Sequence, residues 1–132
     1  MDWAPVLRWL HVIGACVLLG TGAGIAFFMV MAHRTGNAMI IAHTARVVVI
    51  ADWIFTASAV VIQPITGALL VEAVGWSWSE GWLVLSLALY VVTGCFWVPV
   101  VWMQAKMRDL AQAAAEAENP LPPLYYQLYR AW

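Results

Sequence analysis

The chain has 132 residues, 64% of them apolar and 10% charged, with a mean hydropathy of +0.84. A soluble domain carries about 25% charged and about 45–50% apolar residues, so a water-covered globular enzyme is excluded. The formal net charge of −1, with six scattered Lys and Arg, lacks the electrostatic footprint of a nucleic-acid binder. Cys16 and Cys95 stand alone without CxxC spacing, so neither a disulfide framework nor a zinc site is implied.

Three apolar runs follow one another along the chain. No Asp, Glu, Lys or Arg stands between Arg8 and Arg34, or between Glu80 and Lys106, and only Asp52 interrupts the stretch from Arg46 to Glu72. Each run exceeds the roughly 20 residues that a helix needs to cross a hydrocarbon layer of about 30 Å. Lipid offers the backbone no hydrogen bonds, which selects helices, and the runs are too long for barrel strands. The reading is an all-α membrane protein with transmembrane helices over about 6–31, 45–72 and 81–107. The first run is too long for the apolar core of a signal peptide and is taken as a retained span. With no internal repeat or low-complexity linker, residues 1–132 form one domain.

Loop charges give an orientation. The 32–46 loop holds Arg34 and Arg46, and Lys106 and Arg108 follow the third span, whereas the connection from Glu72 to Glu80 holds acids and no base. Cytoplasmic loops carry the excess of Lys and Arg, so the N-terminus is expected outside and the tail in the cytoplasm, with Arg8 dissenting. Trp3, Trp9, Trp76, Trp78 and Trp82 then form one outer aromatic belt. Beyond the third span, helix formers continue from Gln104 to Glu116 until Asn119-Pro-Leu-Pro-Pro stops them. The segment from Leu124 to Trp132 sets Tyr125, Tyr129 and Trp132 on one face, as an interfacial segment resembling the start of a fourth span.

Inside the spans, Cys16, Gly20 and Gly24 form a narrow strip of small residues. Such strips serve helix packing within one chain or a homodimer seam. In the second span Thr56, Ala59, Gln63 and Thr66 fall within about 40° of Asp52 at 100° per residue. A carboxylate at this depth must face protein or water. It is read either as hydrogen-bonded across helices, to Tyr90, Thr93 or a tail residue, or as the end of a proton or ion path. Pro64 and Pro99 free the carbonyls of Val60 and Cys95. A third-span stripe of Ser86, Tyr90, Thr93 and Trp97 is expected to face the stripe of Asp52.

His11 lies about two turns inside the first span. It is either a haem axial ligand or a histidine hydrogen-bonded across helices, to Tyr90 or Gln63. His33 lies about 33 Å of helix away, so neither it nor His43 can share an iron with His11. A haem there takes its second ligand from a methionine, a symmetry-related His11, a partner, or leaves it open.

The strings Trp9-Leu-His-Val-Ile-Gly, Ala32-His-Arg-Thr-Gly, Val49-Ile-Ala-Asp-Trp-Ile-Phe, Gln63-Pro-Ile-Thr-Gly, Pro99-Val-Val-Trp-Met-Gln and Met107-Arg-Asp-Leu-Ala resemble a bacterial family of predicted integral membrane proteins with no assigned function. The resemblance runs through essentially the whole chain. It implies a fourth span in most members, where this chain stops at Tyr129-Arg-Ala-Trp. More distantly, the layout is similar to the membrane-bound protoporphyrinogen oxidase of haem synthesis and to the copper-resistance membrane domain. In the oxidase the first-span histidine matches His11, and a Gly-Trp-Leu string matches Gly81-Trp-Leu83. The lysine that follows there, thought important for haem and activity, is matched by Ser86, so the resemblance carries the histidine and not the lysine.

Together these features imply a small multi-pass protein of the bacterial inner membrane holding one b-type haem through His11, for electron transfer or tetrapyrrole handling. The alternative is a cofactor-free accessory subunit packed through Cys16, Gly20 and Gly24 into a homo-oligomer or a larger membrane complex. A proton-coupled transporter using Asp52 is a third reading. No Ser-His-Asp set, phosphate loop or nucleotide fingerprint supports a conventional enzyme class.

Overall fold

The computed structural model describes residues 3–132. Helix α1 runs Ala4–Arg34, with a proline in its first turn where the missing N–H costs nothing. A short turn leads to α2, Ala38–Ala51, which begins where the Asn37 side chain accepts the backbone N–H groups of Met39 and Ile40. The chain then passes through one π-helical turn, Asp52–Thr56, into α3, Ala57–Val74. Gly75, in the left-handed region at φ 78°, ends α3. Helix α4 runs Gly81–Glu116, and α5 covers Pro123–Ala131. All five are helices, and three continuous stretches are long and apolar enough to cross a membrane: Ala4–Arg34, Ala38–Val74 and Gly81–Glu116.

The expected 32–46 loop is corrected. The chain turns within Thr35–Asn37, and the second span starts at Ala38, so His43 and Arg46 lie on helix. The charges that ended the apolar run do not end the helix, because the Asn37 cap starts it one turn past Arg34.

The bundle is packed unevenly along its length. Its apolar core joins Met29 and Ala32 of α1, Ile41, Ala45 and Val48 of α2, Met107 and Ala111 of α4, and Tyr125 of α5. All of these lie toward the end that carries the 35–37 turn and α5. Helix α4 packs chiefly on α2 and α5, and α1 chiefly on α3 and α2. Toward the opposite end α4 therefore leans away from α3 and α1, leaving a cleft. At that open end Trp3, Trp9, Trp76, Trp78 and Trp82 are all exposed. There Trp78 Nε1 donates to Glu72 at 2.8 Å, and Trp76 meets Trp82 edge to face. Helix α5 folds back onto the closed end, with Tyr125 fully buried.

Candidate functional site

The polar stripe of the second span points inward as a unit: Asp52, Thr56, Ala59, Gln63 and Thr66 are all buried. Asp52 opens the π turn, a rare one-turn irregularity that often accompanies functional sites. Its Oδ1 accepts Trp97 Nε1 across the cleft at 3.5 Å, a long contact at the edge of hydrogen bonding. The expectation that Tyr90 or Thr93 would meet Asp52 is corrected. The Tyr90 hydroxyl donates to the Val60 carbonyl, the group that Pro64 leaves without its helical donor, and Thr93 turns back to the Leu89 carbonyl at 2.8 Å. Arg46 does not pair with Asp52 either, since the ion pair among the described residues is Arg108–Asp109 at 2.8 Å.

Between α1, the second span and α4 lies a cavity of about 670 Å³. Asp52, Thr56 and Gln63 line one side, and Tyr90, Trp97 and Gln104 face them from α4. Leu18, Leu19 and Ile25 of α1 form an apolar flank, and Trp132 stands at the closed end. Ser86, expected in the same stripe, is exposed and donates to the Trp82 carbonyl instead. The sequence reading missed Gln104 and Trp132, because the cavity extends past the expected end of the polar stripes into the closed end of the bundle.

His11 lies outside this cavity, against α3. Its Nδ1 is 3.0 Å from Thr66 Oγ1, which corrects the expected partners Tyr90 and Gln63. Thr66 Oγ1 also donates to the carbonyls of Ile62 and Gln63, at 3.0 and 3.1 Å. A hydroxyl has one proton. With that proton turned to the backbone, Thr66 accepts from His11 Nδ1–H, which leaves Nε2 as the bare nitrogen. Gly67 makes the contact possible, since a Cβ there would stand 3.1 Å from His11 Cε1. One turn along α1, a Cβ on Gly14 would stand 2.9 Å from Gln63 Oε1.

The α1–α3 seam therefore runs through His11 and Gly14. Gly20 and Gly24 have open space where a Cβ would be, and Cys16 is exposed. That strip faces away from the contacts made by α1 on α3. Gly24 and His43 border a second groove, of about 410 Å³, between α1 and α2. His33 is held at the closed end, where it shares a 3.3 Å hydrogen bond with the Tyr125 hydroxyl and stacks on Tyr129 at 3.5 Å.

Residues 5–132 match the model of a family described as predicted integral membrane protein (DUF2269). The chain belongs to this family. No curated protein and no solved structure matches it. As a member of DUF2269 it is an integral, multi-pass membrane protein, and in that setting its exposed apolar helix faces meet the lipid bilayer. Within this DUF2269 chain, no group of three or more His, Cys, Asp or Glu among the described residues is placed to hold a metal ion.

Proposed function

We propose that this DUF2269 protein binds one b-type haem through His11. The observation that carries the reading is the hydrogen-bond order at His11. The Thr66 hydroxyl lies within bonding distance of the Ile62 and Gln63 carbonyls as well as of His11 Nδ1. With its proton on a carbonyl it accepts from Nδ1–H and leaves Nε2 bare, the arrangement in which a histidine offers its other nitrogen to a metal. An iron porphyrin held there would supply one-electron chemistry. Neither of the other histidines can share that iron: His33 is engaged by Tyr125 and Tyr129 at the closed end, and His43 borders the α1–α2 groove more than one membrane half away along the helices. The opposite face of the iron is then open or is completed by a second copy or a partner. The 670 Å³ cavity holds no histidine, methionine or cysteine among its lining residues, and His11 does not line it, so the haem reading does not use it.

The distribution of charge supports an orientation. Arg34, Arg46, Lys106, Arg108 and Arg130 gather toward the closed end, and Glu72 and Glu80 toward the open end. With Arg8 as the exception at the open end, this favours the reading in which the closed end is cytoplasmic and His11 sits in the outer half of an inner membrane.

The test is an absorption spectrum of protein purified in detergent from haem-replete cells, oxidised and then reduced with dithionite. A Soret band with a sharpened α band on reduction, lost in His11→Ala without loss of expression, is the expected result. A colourless protein of normal yield overturns it. One observation favours a second reading, a cofactor-free accessory subunit. The strip of Cys16, Gly20 and Gly24 is open to contact from outside the chain, as a seam to another helix requires. Leucine at Gly20 and Gly24 would then change the size of the assembly.

A further inference from the structure

The cleft between α1 and α4 gathers unsatisfied chemistry that a lipid-facing groove has no use for. Among the described residues, the buried side-chain nitrogen and oxygen atoms without a hydrogen-bond partner are Thr56 Oγ1, Gln63 Oε1, Gln104 Oε1 and Trp132 Nε1. All four belong to residues that line this one cavity. Native proteins leave few such atoms, because each gives up its hydration and gets no partner in return. Asp52 adds a carboxylate that is 4% exposed, with the 3.5 Å contact from Trp97 Nε1 as its hydrogen bond. Among the described residues no Lys, Arg or His side chain pairs with it.

The sign of this lining selects the occupant. Asp52 carries the formal charge of the lining, which is negative, and Tyr90 and Trp97 add rings, whose faces attract cations. An anion would meet the Asp52 carboxylate. A lipid tail would leave the Asp52 carboxylate without a counter-charge. A cation with an apolar body meets the Asp52 carboxylate and the rings on one side and the aliphatic flank of Leu18, Leu19, Ile25 and Val100 on the other. The volume of about 670 Å³ falls within the roughly 300–1,000 Å³ of pockets for drug-sized ligands. Because α1 and α4 each pack on the second span, a lipophilic ligand can enter sideways from the bilayer.

We propose that this cleft is a binding site for a lipophilic organic cation, held by the Asp52 carboxylate with its apolar body against α1 and the rings of Tyr90 and Trp97. The site is separate from His11, which does not line it, and stands whether or not haem is bound. An intramembrane carboxylate facing a cavity is a functional feature by default, and the cation is the partner that the chain itself does not supply.

The test is equilibrium dialysis of the full chain in detergent micelles against tetraphenylphosphonium, with protein-free micelles as the blank. Neutral triphenylphosphine oxide is the comparison ligand. Saturable uptake approaching one cation per chain, with the neutral compound retained no better than in the blank, is the expected result. Asp52→Asn should weaken cation binding roughly tenfold or more. Gly94 lines the cleft and has open space at its Cβ position, so Gly94→Phe should fill the cavity, keep the fold and lose uptake.

Equal saturable uptake of the cation and the neutral compound overturns the proposal, as does no uptake above the blank or undiminished binding by Asp52→Asn. If Asp52→Asn does not purify as folded protein, the cation-to-neutral ratio in the unmodified chain and the Gly94→Phe loss decide the matter alone.

Discussion

The Tyr90 hydroxyl on α4 donates to the Val60 carbonyl on α3, the carbonyl that Pro64 leaves without its helical N–H. The proline defect in one span is thus satisfied by a side chain from another, at the level where α4 has begun to lean away from α3. Tyr90→Phe keeps the ring and removes the donor. It should lower unfolding stability in detergent by about 0.6–2 kcal/mol, the range of interhelical hydrogen bonds in membranes. Tyr90→Phe combined with Pro64→Ala should recover most of that loss, because alanine returns an N–H to Val60. Thermal unfolding followed by circular dichroism reads both, and an unchanged midpoint in Tyr90→Phe would remove this link.

The α1–α3 seam makes a second contrast measurable. A Cβ on Gly14 meets Gln63 Oε1 at 2.9 Å and Cδ at 3.2 Å, whereas nothing lies within 4 Å of one on Gly20. Gly14→Leu should therefore destabilise the chain by about 1–3 kcal/mol through overpacking. Gly20→Leu should leave the isolated chain as stable as before, or slightly more so, since glycine is the poorer helix former by about 1 kcal/mol. Equal effects at the two positions would show that α1 does not meet α3 along this face.

The spans were legible in the sequence because apolar length and charge-free runs are set directly by the bilayer. The inward stripe of Asp52, Thr56, Gln63 and Thr66 was legible from helical periodicity, and all four are buried. Partners were harder to read. Periodicity places Tyr90 and Asp52 on facing stripes without saying how far α4 leans, and the Val60 carbonyl competes for the Tyr90 hydroxyl. The strip of Cys16, Gly20 and Gly24 was visible as spacing, yet spacing does not say which glycines touch something. Gly14 and Gly67, the ones that do, mark themselves only through the bulky polar neighbours His11 and Gln63 on the facing helix. Gln104 escaped because it lies past the expected end of the third-span stripe, and Trp132 because its place depends on α5 folding back, which no local pattern encodes.

At the closed end, Tyr125 is fully buried and shares a hydrogen bond with His33. Burial pushes its phenol from 10.0 up to about 12, and the charges that Tyr129 and Tyr126 acquire on ionising push it the same way. The docked state thus holds the protonated phenol. A pKa raised on docking gives stability that is complete below 10.0 and lost as the pH rises through about 12. Tyrosinate absorbance should show one late, cooperative step in this interval, with α5 becoming sensitive to protease at the same pH. Tyr125→Phe should remove the part of the late step that coincides with α5 becoming protease-sensitive. A single titration at the ordinary tyrosine pKa in the intact chain would show that α5 is not docked through this ring.

His11 and Thr66 allow the hydrogen-bond order itself to be tested, independently of any cofactor. Thr66 Oγ1 stands 3.0 Å from His11 Nδ1 and turns its proton to the Ile62 and Gln63 carbonyls. Thr66→Val preserves shape and leaves Nδ1–H without an acceptor in a buried seam, which costs about 1–3 kcal/mol. Thr66→Ser restores the acceptor and should return most of the stability. In a nitrogen-15 spectrum of the imidazole, the intact chain should show Nδ1 protonated and Nε2 bare, and Thr66→Val should mix the two tautomers. If Nε2 carries the proton in the intact chain, Thr66 is the donor instead. Nε2 would then be unable to serve as a ligand, and the haem reading of His11 would fall with it.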